Sequence, residues 1–99
     1  MQALALSYVM AGAMFLGQND EQLFIAEPLT KPGEFTPGIE GPACDADGNI
    51  YAVNFHKEGT IGIVTPAGAG KVFVKLPEGS IGNGIRFDRA GTMFVADYA

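Results

Sequence analysis

Gly38–Phe55 reads GIEGPACDADGNIYAVNF, and 43 residues further on Ile81–Tyr98 reads IGNGIRFDRAGTMFVADY. Gly41 falls on Gly84, Asp45 on Asp88 and Gly48 on Gly91. Tyr51 falls on Phe94, Asn54 on Asp97 and Phe55 on Tyr98. Turn residues and aromatics that keep one register mark a repeat architecture. A period of about 40–50 residues built from short strands predicts an all-β chain of propeller blades around a central axis. The same register sets Glu40 on Asn83. Both side chains offer oxygen ligands, and both precede a glycine that opens a strand. At the start of an innermost strand, rotation about the axis would aim both at the mouth of the central channel.

Around this stretch the chain divides readily. Asp45-Ala46-Asp47-Gly48 is a turn, in which Gly48 supplies a positive φ and the aspartates bond the backbone. Strands are expected over about Pro42–Asp45, Asn49–Phe55, Thr60–Thr65 and Val72–Leu76. Ile50 and Ala52 alternate with Tyr51 and Val53, so the second strand should be buried on both faces. Four strands make blade one, about residues 39–77, and residues 81–99 start blade two. Upstream, Gln22–Pro28 (QLFIAEP) resembles Lys71–Pro77 (KVFVKLP) and reads as a lone outer strand. The loop Leu29–Pro37 follows it. In a closed ring that strand would complete the last blade and remove a sheet edge. Repeat units do not bury their faces alone. The chain is therefore expected to be the N-terminal part of a longer protein, with about one and a half blades and an outer strand, partnered by further C-terminal blades.

Composition narrows the function. The 99 residues carry a net charge of −5, which argues against a nucleic-acid partner. Hydrophobic residues make up 47%, so a packed core is within reach. The single cysteine, Cys44, excludes a disulfide framework within the chain, and there is no Cys/His cluster for structural zinc. As the counterpart of Phe87, Cys44 is expected to be a small buried hydrophobe. Ala3–Leu16 is apolar, has the length of a leader's hydrophobic region and is too short to span a bilayer. Residues 1–17 read as a signal peptide without a basic n-region, or as an incidental apolar helix. A leader would send the protein to the periplasm or outside the cell; otherwise it is cytoplasmic.

Taken together, GIEGPACDADGNIYAVNF, GTIGIVTPAG and LPEGSIGNGIRFDRAGTMFVADY resemble the family that groups senescence marker protein, gluconolactonase and luciferin-regenerating enzyme. The likeness covers about Phe35–Tyr98. It implies a six-bladed β-propeller with one divalent metal, often calcium, in the central channel. It also implies hydrolysis of sugar lactones or related esters. The family's metal-binding Glu lies in an E-G-P motif, which Glu40-Gly41-Pro42 matches, so the resemblance makes Glu40 the metal ligand. Asn83-Gly84 matches an N-G motif at the start of a strand, but the family's metal-binding Asn residues lie further along, so Asn83 is expected to line the channel. The remaining ligands and the catalytic acid/base residue are expected beyond Ala99.

Each residue also has a plainer reading. Glu40 could cap a loop at the ring surface, and Asn83 could serve only its turn. Arg86 could line the channel and contact a substrate anion, or pair with Asp88 or Asp45. Asn54 and Asp97 end equivalent strands and should cap loops, and His56 has no catalytic partner nearby. Asp45 and Asp47 resemble half a calcium loop without its closing Glu, which favours a turn. Two functions are consistent with these residues: a metal-dependent lactone or ester hydrolase, and a non-catalytic propeller used as a binding scaffold.

Overall fold

Three turns of one design set the hairpins. The computed structural model describes residues 23–99, and Asp45, Thr65 and Asp88 each begin a five-residue turn. In each turn the first N–H donates to the carbonyl four residues on, and the first carbonyl accepts from a glycine three residues on. The first side chain then accepts the N–H of Asn49, Ala69 or Thr92 at 2.9–3.1 Å. Gly48, Gly68 and Gly91 take φ values of +84°, +88° and +85°, a region that a Cβ disfavours.

These turns link short strands. Strands β1 (Ala43–Cys44), β2 (Ile50–Val53), β3 (Thr60–Val64) and β4 (Gly70–Lys75) form one antiparallel sheet in chain order. Strands β5 (Gly82–Phe87) and β6 (Met93–Asp97) form a second. No helix occurs among the described residues. The repeat extends to strand register: Ala43 opposes Tyr51 and Cys44 opposes Ile50, while Arg86 opposes Phe94 and Phe87 opposes Met93.

Between the sheets lies the core. Tyr51, Val53 and Ile61 of the first sheet enclose Ile85 of the second, with Ala43, Ile63, Leu76, Phe87, Met93 and Val95 packed around them. The Tyr51 and Phe87 rings meet edge-on at 5.2 Å. Phe87 and Met93 are the counterparts of Cys44 and Ile50, yet they face the first sheet, whereas Cys44 and Ile50 lie on the side away from the second. Both sheets thus stack in the same sense, each offering equivalent residues in the same direction.

That arrangement corrects two expectations. Cys44 is exposed rather than buried, because Phe87 has a sheet to lie against and Cys44 does not among the described residues. Ile50 is 36% exposed for the same reason. Ala52 is buried nonetheless, since Leu29, Phe35, Ile39 and Pro42 come over that face. Gln22–Pro28 also differs. Leu23–Pro28 forms no strand, Phe24 sits at φ +71°, and Leu23, Phe24 and Ile25 are exposed. A strand must pair its backbone along a neighbour's edge, and Leu23–Pro28 pairs with none of the described strands, although β4 and β6 each leave an edge open. Gln22 and the candidate leader, residues 1–17, lie outside the described residues. Among the described residues no helix is long and apolar enough to cross a membrane.

Phe55 locks the far face of the first sheet. It is fully buried, meets Phe35 edge-on at 5.0 Å and lies over Gly62 and Gly70. A Cβ on Gly62 would stand 2.6 Å from the Phe55 Cβ. Overpacking of this kind costs on the order of 1–3 kcal/mol. Gly62→Ala should therefore lower the urea midpoint of unfolding while leaving the denaturant slope unchanged; an unchanged midpoint would contradict this packing.

Asp45 anchors the first turn. Its Oδ1 accepts the N–H of Asp47 and Asn49, both at 2.9 Å. Its Oδ2 accepts from the Asn49 amide at 3.0 Å and the Tyr51 hydroxyl at 2.9 Å. The Asn49 side chain is the main influence holding this carboxyl below the usual carboxylate range, and the Tyr51 hydroxyl and two backbone N–H groups add to it. A carboxyl that ionises more readily folded than unfolded stabilises the fold at neutral pH. That contribution is lost as pH falls through the folded value. Unfolding midpoints should drop on acidification below the usual carboxylate range, and Asp45→Asn should make the drop shallower. Equal pH dependence in both proteins would sink the assignment.

Candidate functional site

Both inner strands depart from regular pairing at the same point of the repeat. In the second sheet the register shifts between Gly82 and Ile85, which bulges Asn83-Gly84. In the first, β1 begins only at Ala43, and Gly41 just before it has φ +61°. Such bulges re-aim side chains. The two irregular stretches also touch: a Cβ on Gly41 would run into the Asn83 carbonyl. Glycine at position 41 is required both by its φ and by this approach of backbone to backbone.

The approach brings Glu40 and Asn83 into one recess of about 360 Å³, whose walls also include Asn54, Glu58 and Tyr98. Among the described residues no Lys, Arg or His lines it, and Glu40 and Glu58 give its walls a negative charge. Glu40 is exposed and Asn83 half-buried. The Val53 N–H donates to the Glu40 carbonyl at 3.3 Å, tying the loop to β2. Antiparallel topology explains the convergence, because the start of β1, the end of β2 and the start of β3 share one end of the sheet.

Arg86 is not brought there. It is exposed, opposes Phe94 on the face of the second sheet turned away from the first, and its Nη1 donates to the Ile85 carbonyl at 2.7 Å. Asp97 caps as expected, with Oδ1 accepting from Ile81 N at 3.1 Å and Ala99 N at 3.0 Å. The Ser80 side chain is the main influence lowering its carboxyl below the usual range, helped by those two N–H groups. His56 is exposed, with its ring against Phe55 at 4.1 Å. Asp45 and Asp47 lie at the opposite end of the sheet from Glu40, and both oxygens of Asp45 are engaged within its own turn and by Tyr51.

Glu58 and Asn54 were not expected at this site. Glu58-Gly59 reads as part of a polar turn, and only the topology shows that this turn shares an end with Glu40. Asn54 is 8% exposed and sits at φ +69°. Its Nδ2 donates to the Gly38 carbonyl at 3.2 Å. Its Oδ1 is buried with no hydrogen-bond partner among the described residues.

The donors suit a hard cation. Carboxylates and primary amides are oxygen ligands of the kind calcium takes, six to eight at a time. Among the described residues no three His, Cys, Asp or Glu side chains gather closely enough to hold a metal, so the recess could supply only part of such a shell. No family model, curated protein or solved structure matches this chain.

Gly41→Ala should disturb this site most directly, since it adds a clash with Asn83 to a φ that L-residues resist. The cost should be on the order of 1–3 kcal/mol, read as a lower melting midpoint. A fully tolerated alanine would show that the starts of β1 and β5 do not approach each other.

Proposed function

We propose that this chain is the N-terminal part of a six-bladed β-propeller hydrolase acting on lactones or related esters, with a divalent cation, calcium by its donor chemistry, held by Glu40 on the ring axis. The observation that carries this reading is the meeting of Glu40 and Asn83, 43 residues apart, in one acidic recess. Two sheets stacked in the same sense support the propeller, because repetition of that step about an axis closes a ring. The uncovered faces carrying Cys44 and Ile50 on one side, and Phe94 on the other, are the places where neighbouring blades would pack. The sequence resemblance through Glu40-Gly41-Pro42 supports the reaction class.

In this reading the Glu40 carboxylate holds the cation at the channel mouth. Asn83 lines the channel beside it, and Glu58 deepens the negative potential that draws a cation in. When bound, the ion supplies polarisation of the lactone carbonyl and stabilisation of the charge that develops on its oxygen as water attacks. The acid/base residue and the remaining ligands would come from later blades. Arg86, on the face turned from the recess, has no role in this step.

The test is hydrolysis of a panel of sugar lactones by the full-length protein, with and without chelator, alongside calcium uptake by Glu40→Ala. Turnover should fall on chelation and return with calcium, and Glu40→Ala should bind no ion. Chelator-insensitive turnover, or stoichiometric uptake by Glu40→Ala, would remove the metal from the mechanism or Glu40 from the site. Metal binding without turnover of any lactone would favour a binding scaffold.

A further inference from the structure

We propose that Asn54 is a positioning residue, whose side-chain amide holds the Glu40 loop over the recess. The inference rests on the reading of Glu40 as a cation ligand. Ile39 and Glu40 lie between two glycines in the left-handed region, Gly38 at φ +88° and Gly41 at φ +61°. A dipeptide hinged in this way has little conformational restraint of its own. Packing adds little, since Ile39 is 49% exposed and Glu40 is exposed. The loop is held by hydrogen bonds that centre on Asn54.

The Asn54 N–H donates to the Thr60 carbonyl at 2.8 Å, which fixes the residue to β3. Its own carbonyl accepts from Thr36 N at 3.0 Å, and its Nδ2 donates to the Gly38 carbonyl at 3.2 Å. Asn54 therefore grips the loop just before Glu40 at two points. Only the longer Val53–Glu40 bond, 3.3 Å, holds it at Glu40 itself.

The arrangement carries two local costs. A non-glycine residue stands at positive φ, and a buried carbonyl oxygen, Oδ1, goes unpartnered among the described residues. Strain of this kind persists where the surroundings hold it in place, and it gathers at functional sites.

The second copy of the repeat shows why the residue is an amide. Asp97, the counterpart of Asn54, ties Ile81, the counterpart of Gly38, in the opposite polarity: its Oδ1 accepts the Ile81 N–H. An aspartate at position 54 could not donate to the Gly38 carbonyl, and it would bring a third carboxylate to a recess that already has Glu40 and Glu58. Asn54 supplies the donor without the charge. Partners that orient a metal ligand from behind are worth about 10- to 100-fold in metal affinity.

The test compares the full-length protein with Asn54→Gly and Asn54→Asp. Asn54→Gly keeps the backbone conformation and deletes the tie; Asn54→Asp keeps the size and deletes the donor. Terbium luminescence reads cation affinity, hydrogen exchange of the peptide spanning residues 34–42 reads loop order, and the urea midpoint reads the fold. Both variants should bind terbium about 10- to 100-fold more weakly. Exchange should be faster in residues 34–42, and Asn54→Gly should keep a near wild-type urea midpoint. Unchanged loop exchange or unchanged affinity would overturn the role of Asn54 alone. Tighter binding by Asn54→Asp would also overturn it, since the added charge in the recess would then outweigh the lost tie to Gly38. A failure of Glu40→Gln to weaken binding would overturn the underlying reading of Glu40 and this inference with it.

Discussion

Ile85 and Ile61 expose no surface at all, and their burial between the two sheets is the constraint from which the rest follows. Neither sheet could hide these side chains by itself. A four-stranded and a two-stranded sheet each leave an apolar face in water, and apolar burial is worth roughly 25 cal/mol per Å². Tyr51, Val53 and Ile61 on one side and Ile85, Phe87 and Met93 on the other turn two hairpin arrays into one body. Once that contact forms, the starts of the two inner strands are forced together. Gly41 then meets the Asn83 backbone, and only a glycine can stand there.

The site is thus a by-product of stacking. Glu40 and Asn83 are far apart in the chain and have no bond to each other that would draw them together. They line one recess because each occupies the same step of a repeat and the two copies face the same way. Stacking sets where the two stretches meet, and the hydrogen bonds from Asn54 and Val53 hold the Glu40 loop there. Its two carboxylates and two amides, with no basic side chain among them, suit a hard cation far better than an anion.

Much of this was legible in the sequence, and the reason is local chemistry. Asp45, Gly48, Asp88 and Gly91 announce their turns because the side-chain acceptor and the positive φ are properties of those residues alone. The strands between them follow at nearly the expected bounds. What could not be read depends on neighbours. Cys44 and Phe87 share a repeat position but have different surroundings, since Phe87 faces a sheet and Cys44 does not. QLFIAEP has the composition of a strand, yet Leu23–Pro28 pairs with none of the described strands. Arg86 lies on a face that its position in the repeat sets and its chemistry does not reveal. Glu58 and Asn54 join the site through antiparallel topology and a left-handed backbone, neither of which their residue types declare.

In the proposed propeller the two copies are turned about one axis with Glu40 aimed at it. A crystal structure of the full-length protein grown with manganese in place of calcium, with the ion located by its anomalous signal, tests this most directly. An anomalous peak should stand on the ring axis within coordination distance of a Glu40 oxygen, with Asn83 on the adjoining wall. A Glu40 carboxylate on the outer perimeter, or an ion bound elsewhere with the axis empty, would contradict it.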